Sequence, residues 1–274
     1  MGAYDENGQR RQTAVEKLFA VAGRTALVTG AASGLGRRMA TLLVEAGASV
    51  YFSDIDREAA ESAALDASTE GQGEARAVHL DVSQVESVRT AFAEIRTRSQ
   101  SQLDILICAA GISKAQWIED MSASSWQRVL DVNLTGTFLC CQEAVRLMLP
   151  RKSGRIINIA SIAATWAPRP QRFNGGYNYS ASKAGVLGLT LRLAVELAPH
   201  GITANCVSPG MMLTPLTTHA LSDEQTRAEA LAAIPMGRLG TPSDLDGITL
   251  FLCSSSSAYL TGQNIVVDGG YSLW

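Results

Sequence analysis

Cysteine and histidine are too few and too scattered in this chain to build a disulfide framework or a metal site. The five cysteines, Cys108, Cys140, Cys141, Cys206 and Cys253, are odd in number and lack paired spacing. Four of them lie in apolar stretches and are expected to be buried. The three histidines, His79, His200 and His219, show no ligand spacing, so no metal is expected. Charged residues make up only 18% of the chain and the net charge is −3. That balance gives no electrostatic footprint for nucleic acid or an anionic membrane. No apolar run approaches the roughly 18 residues of a membrane span. The first 22 residues are polar and carry no apolar stretch of the signal-peptide kind. The expectation is a soluble, cytoplasmic protein with neither a nucleic-acid nor a membrane partner.

What the chain has is apolar residues in two alternating patterns. Hydrophobic residues reach 46% of 274, enough for a sizeable core. Short apolar runs occur at Thr25–Thr29, Ser49–Ser53, Ala75–Leu80, Asp104–Cys108, Arg155–Ala160, Thr203–Val207 and Asn264–Val267. Between them lie segments with apolar residues at helical spacing, such as Leu35–Glu45, Val85–Ile95, Ala123–Met148 and Ser180–Leu197. Strands alternating with helices imply βαβ units and a parallel sheet. Runs that are apolar at successive positions imply a sheet covered on both faces. The expected fold is α/β: one Rossmann-like, doubly wound domain over residues 23–274, with seven parallel strands and helices on both faces. Residues 1–22 read as a tail with a short helix near Val15–Ala20, and the serines at 254–257 as a turn after a helix.

The first strand runs into Thr29-Gly30-Ala31-Ala32-Ser33-Gly34-Leu35-Gly36, and a helix pattern follows at once. Glycines there permit a sharp strand-to-helix turn and close approach of a phosphate, and the helix N-terminus supplies free N–H groups to it. The G-x-x-x-G-x-G spacing departs from the G-x-G-x-x-G dinucleotide fingerprint, so its position in the first βαβ unit carries the argument. Asp54 closes the second strand 18 residues after Gly36, where a carboxylate can hold adenosine ribose hydroxyls and repel a 2′-phosphate. NAD is therefore favoured over NADP, with Arg37 and Arg57 the two nearby cations that oppose this. An ordinary helix N-cap is the other reading of Asp54.

Tyr179 and Lys183 stand one helical turn apart. An ammonium beside a phenol favours the phenolate, and such a pair can exchange a proton with an alcohol or ketone oxygen. Alone, such a spacing arises by chance in many helices, and a solvated helix face is the better reading of it. Ser161 ends a strand, where ligands bind in open α/β sheets, and Asn133 occupies a helix interior, an unfavourable place for Asn that calls for a specific reason. A helix kink or a buried amide pair would supply one.

In this combination and order the sequence resembles the classical short-chain dehydrogenase/reductase family, from about Ala22 to Tyr271. Thr29 to Gly36 is similar to the family's cofactor loop, and Asp81 in Leu80-Asp81-Val82 to the aspartate beside the adenine. Asn133, Ser161, Tyr179 and Lys183 resemble its catalytic tetrad. Ser208-Pro209-Gly210 followed by Thr214 resembles the segment that grips the nicotinamide carboxamide, and Thr261-Gly262-Gln263 with Val267-Asp268-Gly269-Gly270 resembles its C-terminal strand region. The resemblance implies a cofactor site at Gly30, Ser33, Gly34, Leu35, Gly36, Asp54, Ile55, Asp81, Val82, Ala109, Ala110, Gly111, Tyr179, Lys183, Pro209, Gly210, Met212 and Thr214. It implies that Tyr179 exchanges the proton and Ser161 stabilises the substrate oxygen. Lys183 would hold the nicotinamide ribose and lower the tyrosine pKa, and Asn133 would support a water relay to Lys183. It also implies packing of long helices between subunits of a homotetramer.

Two departures stand out. Cys108-Ala109-Ala110-Gly111 lacks the side-chain amide usual in the family after the fourth strand, which leaves backbone contacts there. The stretch from Ser161 to Tyr179 is longer than usual and carries Trp166, Arg169, Arg172 and Phe173. With Trp117, Met211, Met212 and Leu213 it is expected to border an apolar substrate pocket, and the two arginines are either carboxylate ligands or plain surface residues. Met211–Met236 is expected to close over substrate as a lid. The expected activity is hydride transfer between NAD(H) and a small-molecule secondary alcohol or ketone, of cyclic-alcohol, polyol or sugar-acid type. The competing readings are an NADPH-dependent ketone reductase, such as a 3-oxoacyl-carrier reductase, and a non-catalytic NAD-sensing protein.

Overall fold

The computed structural model describes Thr13 and residues 17–167, 176–218 and 220–273. Seven strands form one sheet: β1 (Thr25–Thr29), β2 (Ser49–Asp54), β3 (Ala75–His79), β4 (Ile105–Cys108), β5 (Gly154–Ile159), β6 (Ile202–Pro209) and β7 (Asn264–Val267). Their order is β3-β2-β1-β4-β5-β6-β7 and every pairing is parallel. The strand order reverses between β1 and β4, so their carboxyl ends flank a crevice suited to a ligand. The seven expected strands are all present. β6 runs two residues past the expected Val207 because Ser208 and Pro209 pair with Val266 and Val267. Proline is tolerated there at the strand's last position.

The helices are α1 (Gly34–Glu45), α2 (Arg57–Glu70), α3 (Val85–Arg98), α4 (Ala123–Leu130), α5 (Gly136–Met148), α6 (Tyr177–Leu197), the short α7 (Pro215–Thr218), α8 (Glu224–Ala232) and α9 (Asp246–Cys253). Alternation along each strand divides the core in two. Ala26 and Val28 of β1 with Ile105 and Ile107 of β4 meet Met39 and Leu43 of α1, Ala63 of α2 and Leu252 of α9. Leu27 and Leu106 face the other way, onto Phe92 of α3, Cys140, Cys141 and Met148 of α5 and Leu197 of α6. Each such aliphatic side chain contributes roughly 1.5–3 kcal/mol when fully buried. Arg38 ties α1 to α9 through Asp246 (2.6 Å) while also pairing with Glu45 (2.8 Å).

The expected single helix over Ala123–Met148 is corrected by the structure. Asp131–Thr135 is a π-helical turn between α4 and α5, and it contains Asn133. An inserted residue of this kind frequently marks a functional site. The expected helix near Val15–Ala20 lies partly outside the described residues, with Lys17 and Leu18 helical. The serines after α9 form the expected turn, with the Ser254 hydroxyl accepting from the Ser256 N–H. All five cysteines are buried.

Candidate active site

A cleft of about 330 Å³ opens at the carboxyl ends of β1 and β4. Thr29, the last residue of β1, joins these ends: its hydroxyl accepts the N–H groups of Ala109 and Ala110, both at 3.1 Å. The chain then turns at Gly30, where φ is +68° and a Cβ would fall 2.8 Å from the Ala110 Cα. At Gly36 a Cβ would lie 2.2 Å from the Gly30 carbonyl oxygen, so only glycine lets α1 start directly against the loop. The N-cap Ser33 makes no side-chain capping bond, and no acidic residue occupies the first turn of α1. The positive end of that helix therefore faces the cleft with its N–H groups free of an internal anion, which fits the diphosphate of a dinucleotide.

Asp54 ends β2 beside this loop. Its Oδ2 accepts the Ala32 N–H and its Oδ1 the Asp56 N–H, both at 3.1 Å. It is not the N-cap of α2; that role falls to Asp56, which accepts from the Ala59 N–H at 3.0 Å. The two arginines near it are engaged elsewhere, Arg37 with Asp66 and Arg57 with Glu61, each at 2.8 Å. Further along the cleft, the Asp81 Oδ1 accepts both the backbone N–H (2.9 Å) and the hydroxyl (2.6 Å) of Ser83.

Ser161 follows β5 and its hydroxyl accepts the Ala163 N–H at 3.1 Å. It lines the same cleft as Tyr179. Burial raises the Tyr179 phenol above its ordinary value, and the Ser161 contact opposes that rise. Lys183 is buried and donates to the Ile159 carbonyl at 2.7 Å. Burial lowers its pKa to about 8, against a smaller upward pull from nearby thiols. The ammonium lies over the Tyr179 ring face, 5.7 Å from its centre, and is bonded to a carbonyl rather than to the phenol, so desolvation dominates.

Asn133 is fully buried behind this pair. Its Oδ1 accepts the Ile112 N–H at 2.9 Å, and its Nδ2 donates to the Ile112 carbonyl and to the Ser182 hydroxyl, both at 3.0 Å. The Ser182 hydroxyl in turn donates a hydrogen bond to the Tyr179 carbonyl at 2.7 Å. The side chain thus braces the loop after β4 against α6. Every other expected site residue lines the cleft. Arg128, Val132 and Thr217 line it too and were not anticipated. Arg128 and Val132 share a helix face at i and i+4, a spacing visible in the sequence once Val82 is placed opposite.

Among the described substrate-side residues the outcome is mixed. Met212 lines the cleft. Trp166 instead packs edge-on against Tyr271, with ring centres 4.7 Å apart, in a small apolar cluster with Ile162, Leu221, Ile234 and Leu239. The short α7 within the expected lid lies against the cofactor loop, where a Cβ on Gly34 would meet Pro215 at 3.5 Å. Arg169, Arg172, Phe173 and His219 lie outside the described residues.

Residues 30–272 match the family described as enoyl-(acyl carrier protein) reductase. The chain belongs to the short-chain dehydrogenase/reductase family. It is 38% identical over 251 residues to a 3-oxoacyl-[acyl-carrier-protein] reductase of Aquifex aeolicus, covering 90% of this chain and 97% of that protein. A short-chain dehydrogenase/reductase of Mycobacterium marinum superposes with a TM-score of 0.88 at 39% identity, covering 94% of this chain and 99% of that one. A gluconate 5-dehydrogenase of Burkholderia cenocepacia, in complex with NADP and tartrate, gives a TM-score of 0.88 at 31% identity, covering 95% and 99%. This short-chain dehydrogenase/reductase is an oxidoreductase with the family's nicotinamide-cofactor cleft. Among its described residues no helix is long and apolar enough to cross a membrane.

Proposed function

We propose that this protein transfers a hydride between NAD(H) and a secondary alcohol or ketone of cyclic-alcohol, polyol or sugar-acid type. The observation that carries the NAD reading is the Asp54 carboxylate, held by the Ala32 and Asp56 N–H groups while Arg37 and Arg57 are drawn away to Asp66 and Glu61. An ionised carboxylate so placed would accept ribose hydroxyls and repel a 2′-phosphate. The loop Gly30–Gly36 and the N-terminus of α1 would hold the diphosphate, and Pro209, Gly210, Met212 and Thr214 the nicotinamide end. When bound, the nicotinamide supplies the hydride chemistry that no side chain can.

The chain's own residues handle the proton. Tyr179 is the group that gives it to a ketone oxygen or takes it from an alcohol, and Ser161 holds that oxygen through its hydroxyl. Lys183, with its pKa near 8, keeps a proton available close to neutrality, and from its place in the cleft lining it would hold the nicotinamide ribose. Asn133 and Ser182 brace Tyr179 from behind. The convergence of Ser161, Tyr179 and Lys183 in one cleft supports catalysis over passive cofactor sensing.

A second reading, an NADPH-dependent 3-oxoacyl-carrier reductase, is supported by the likeness to the Aquifex aeolicus enzyme across 90% of the chain. Initial rates with NAD and NADP on one alcohol, and with NADH and NADPH on its ketone and on a 3-oxoacyl thioester, separate the two. A clear preference for the phosphorylated cofactor overturns the first reading. The proposal extends to a homotetramer, supported by exposed Phe138 on α5 and Leu191 and Val195 on α6. Light scattering after size exclusion tests that, and a monomer refutes it.

A further inference from the structure

Arg128, on α4, belongs to none of the motifs that define the cofactor site, yet it lines the cleft with Leu80, Asp81, Val82 and Val132. It is exposed, and among the described residues it forms no ion pair. Its Nη1 donates to the Ser83 hydroxyl at 3.1 Å, and that hydroxyl donates to the Asp81 Oδ1 at 2.6 Å. The Ser83 N–H reaches the same oxygen at 2.9 Å. The Asp81 Oδ2 accepts no hydrogen bond among the described residues.

The direction of these bonds matters. A serine hydroxyl has one proton to give and lone pairs to receive. Guanidinium has only donors, so its contact with Ser83 must fall on a lone pair, and the serine proton is then directed at Asp81. A cationic donor also polarises the hydroxyl and strengthens the second bond of the chain. Asp81 is thereby held by one oxygen and left with the other as an acceptor for a donor in the cleft. We propose that Arg128 is a positioning residue for purine recognition, acting through Ser83 to orient Asp81 toward the exocyclic amine of adenine. The inference rests on the dinucleotide reading above and is indifferent to the 2′-phosphate. A purine with a 6-oxo group presents an acceptor where adenine presents a donor, and a carboxylate rejects it.

The test compares binding of NADH and of reduced nicotinamide hypoxanthine dinucleotide, by calorimetric titration, in the wild type, Arg128→Ala, Arg128→Lys and Ser83→Ala. Melting temperatures confirm that each variant is folded. The wild type is expected to favour NADH by about tenfold or more, the scale of one charge-assisted hydrogen bond. Arg128→Ala and Ser83→Ala are each expected to cut that ratio about fivefold or more, with Arg128→Lys restoring part of it. A ratio unchanged in Arg128→Ala, or equal affinities in the wild type, overturns the inference while leaving the dinucleotide reading intact. A ratio changed in Arg128→Ala but not in Ser83→Ala overturns the route through Ser83. A wild type that binds neither of these dinucleotides nor NADPH overturns both readings.

Discussion

The Lys183 ammonium sits 5.7 Å from the centre of the Tyr179 ring and spends a hydrogen bond on the Ile159 carbonyl at 2.7 Å. The two residues are therefore stacked one turn apart on α6 without an ion pair between them. The phenol is left neutral near pH 7, which suits it to donate to a ketone oxygen. For alcohol oxidation it must first lose its proton, so oxidation rates should climb as pH rises toward alkaline values and reduction rates should fall. Tyr179→Phe removes the exchangeable proton with little change in shape. It should lower turnover about 100- to 10,000-fold, the range of general acid–base catalysis. Turnover within a factor of two of wild type would refute the role.

Lys183 also makes a prediction about stability. Its pKa falls from 10.5 to about 8 through burial. Between those values the unfolded chain binds the proton and the folded chain does not, so this group makes stability rise with pH across that window. Buried thiols such as Cys140, pushed up by the same desolvation, act in the opposite sense above pH 9. The difference between wild type and Lys183→Met isolates the lysine: wild type should gain urea-midpoint stability relative to the variant as pH goes from 8 to 10. A flat difference would contradict the depressed pKa.

Asp54 sets the cofactor expectation. In Asp54→Ser the carboxylate is gone and its repulsion of a 2′-phosphate with it. Like-charge juxtaposition costs several kcal/mol, so kcat/KM with NADP should rise about 10- to 100-fold relative to that with NAD. Paired initial-rate measurements check this, and an unchanged ratio would assign cofactor choice elsewhere.

Gly36→Ala would drive a methyl into the Gly30 carbonyl, 2.2 Å away. Backbone on both sides cannot yield without moving the loop off the cleft. NADH affinity should drop at least about tenfold, and the melting temperature should fall. Gly247→Ala, where nothing lies within 4 Å of the added carbon, is the control and should stay within about 1 kcal/mol of wild type. Equal behaviour of the two variants would show that the loop is not held as described.

The seven strands and their parallel arrangement were readable in the chain because burial on both faces demands unbroken apolar runs, such as Ile105–Cys108, and that demand is local. The cofactor loop was readable for a similar reason, since Gly30 and Gly36 answer constraints of neighbouring backbone. Helical spacing put Tyr179 and Lys183 on one face, but only their order with Ser161, Asn133 and the cofactor loop made them a candidate site. Three features were not legible, and each depends on residues far apart in sequence. The π-turn at Asp131–Thr135 arises where Asn133 is drawn to Ile112 and Ser182, a competition that hydropathy cannot register. The state of the Tyr179–Lys183 pair depends on the Ile159 carbonyl and on desolvation by the whole fold. Arg128 reaches Ser83 across 45 residues, and its part in the cleft exists only once α4 is laid beside the end of β3. Local backbone and burial rules shaped the frame; long-range hydrogen bonds and the exclusion of water decided what the site's charges do.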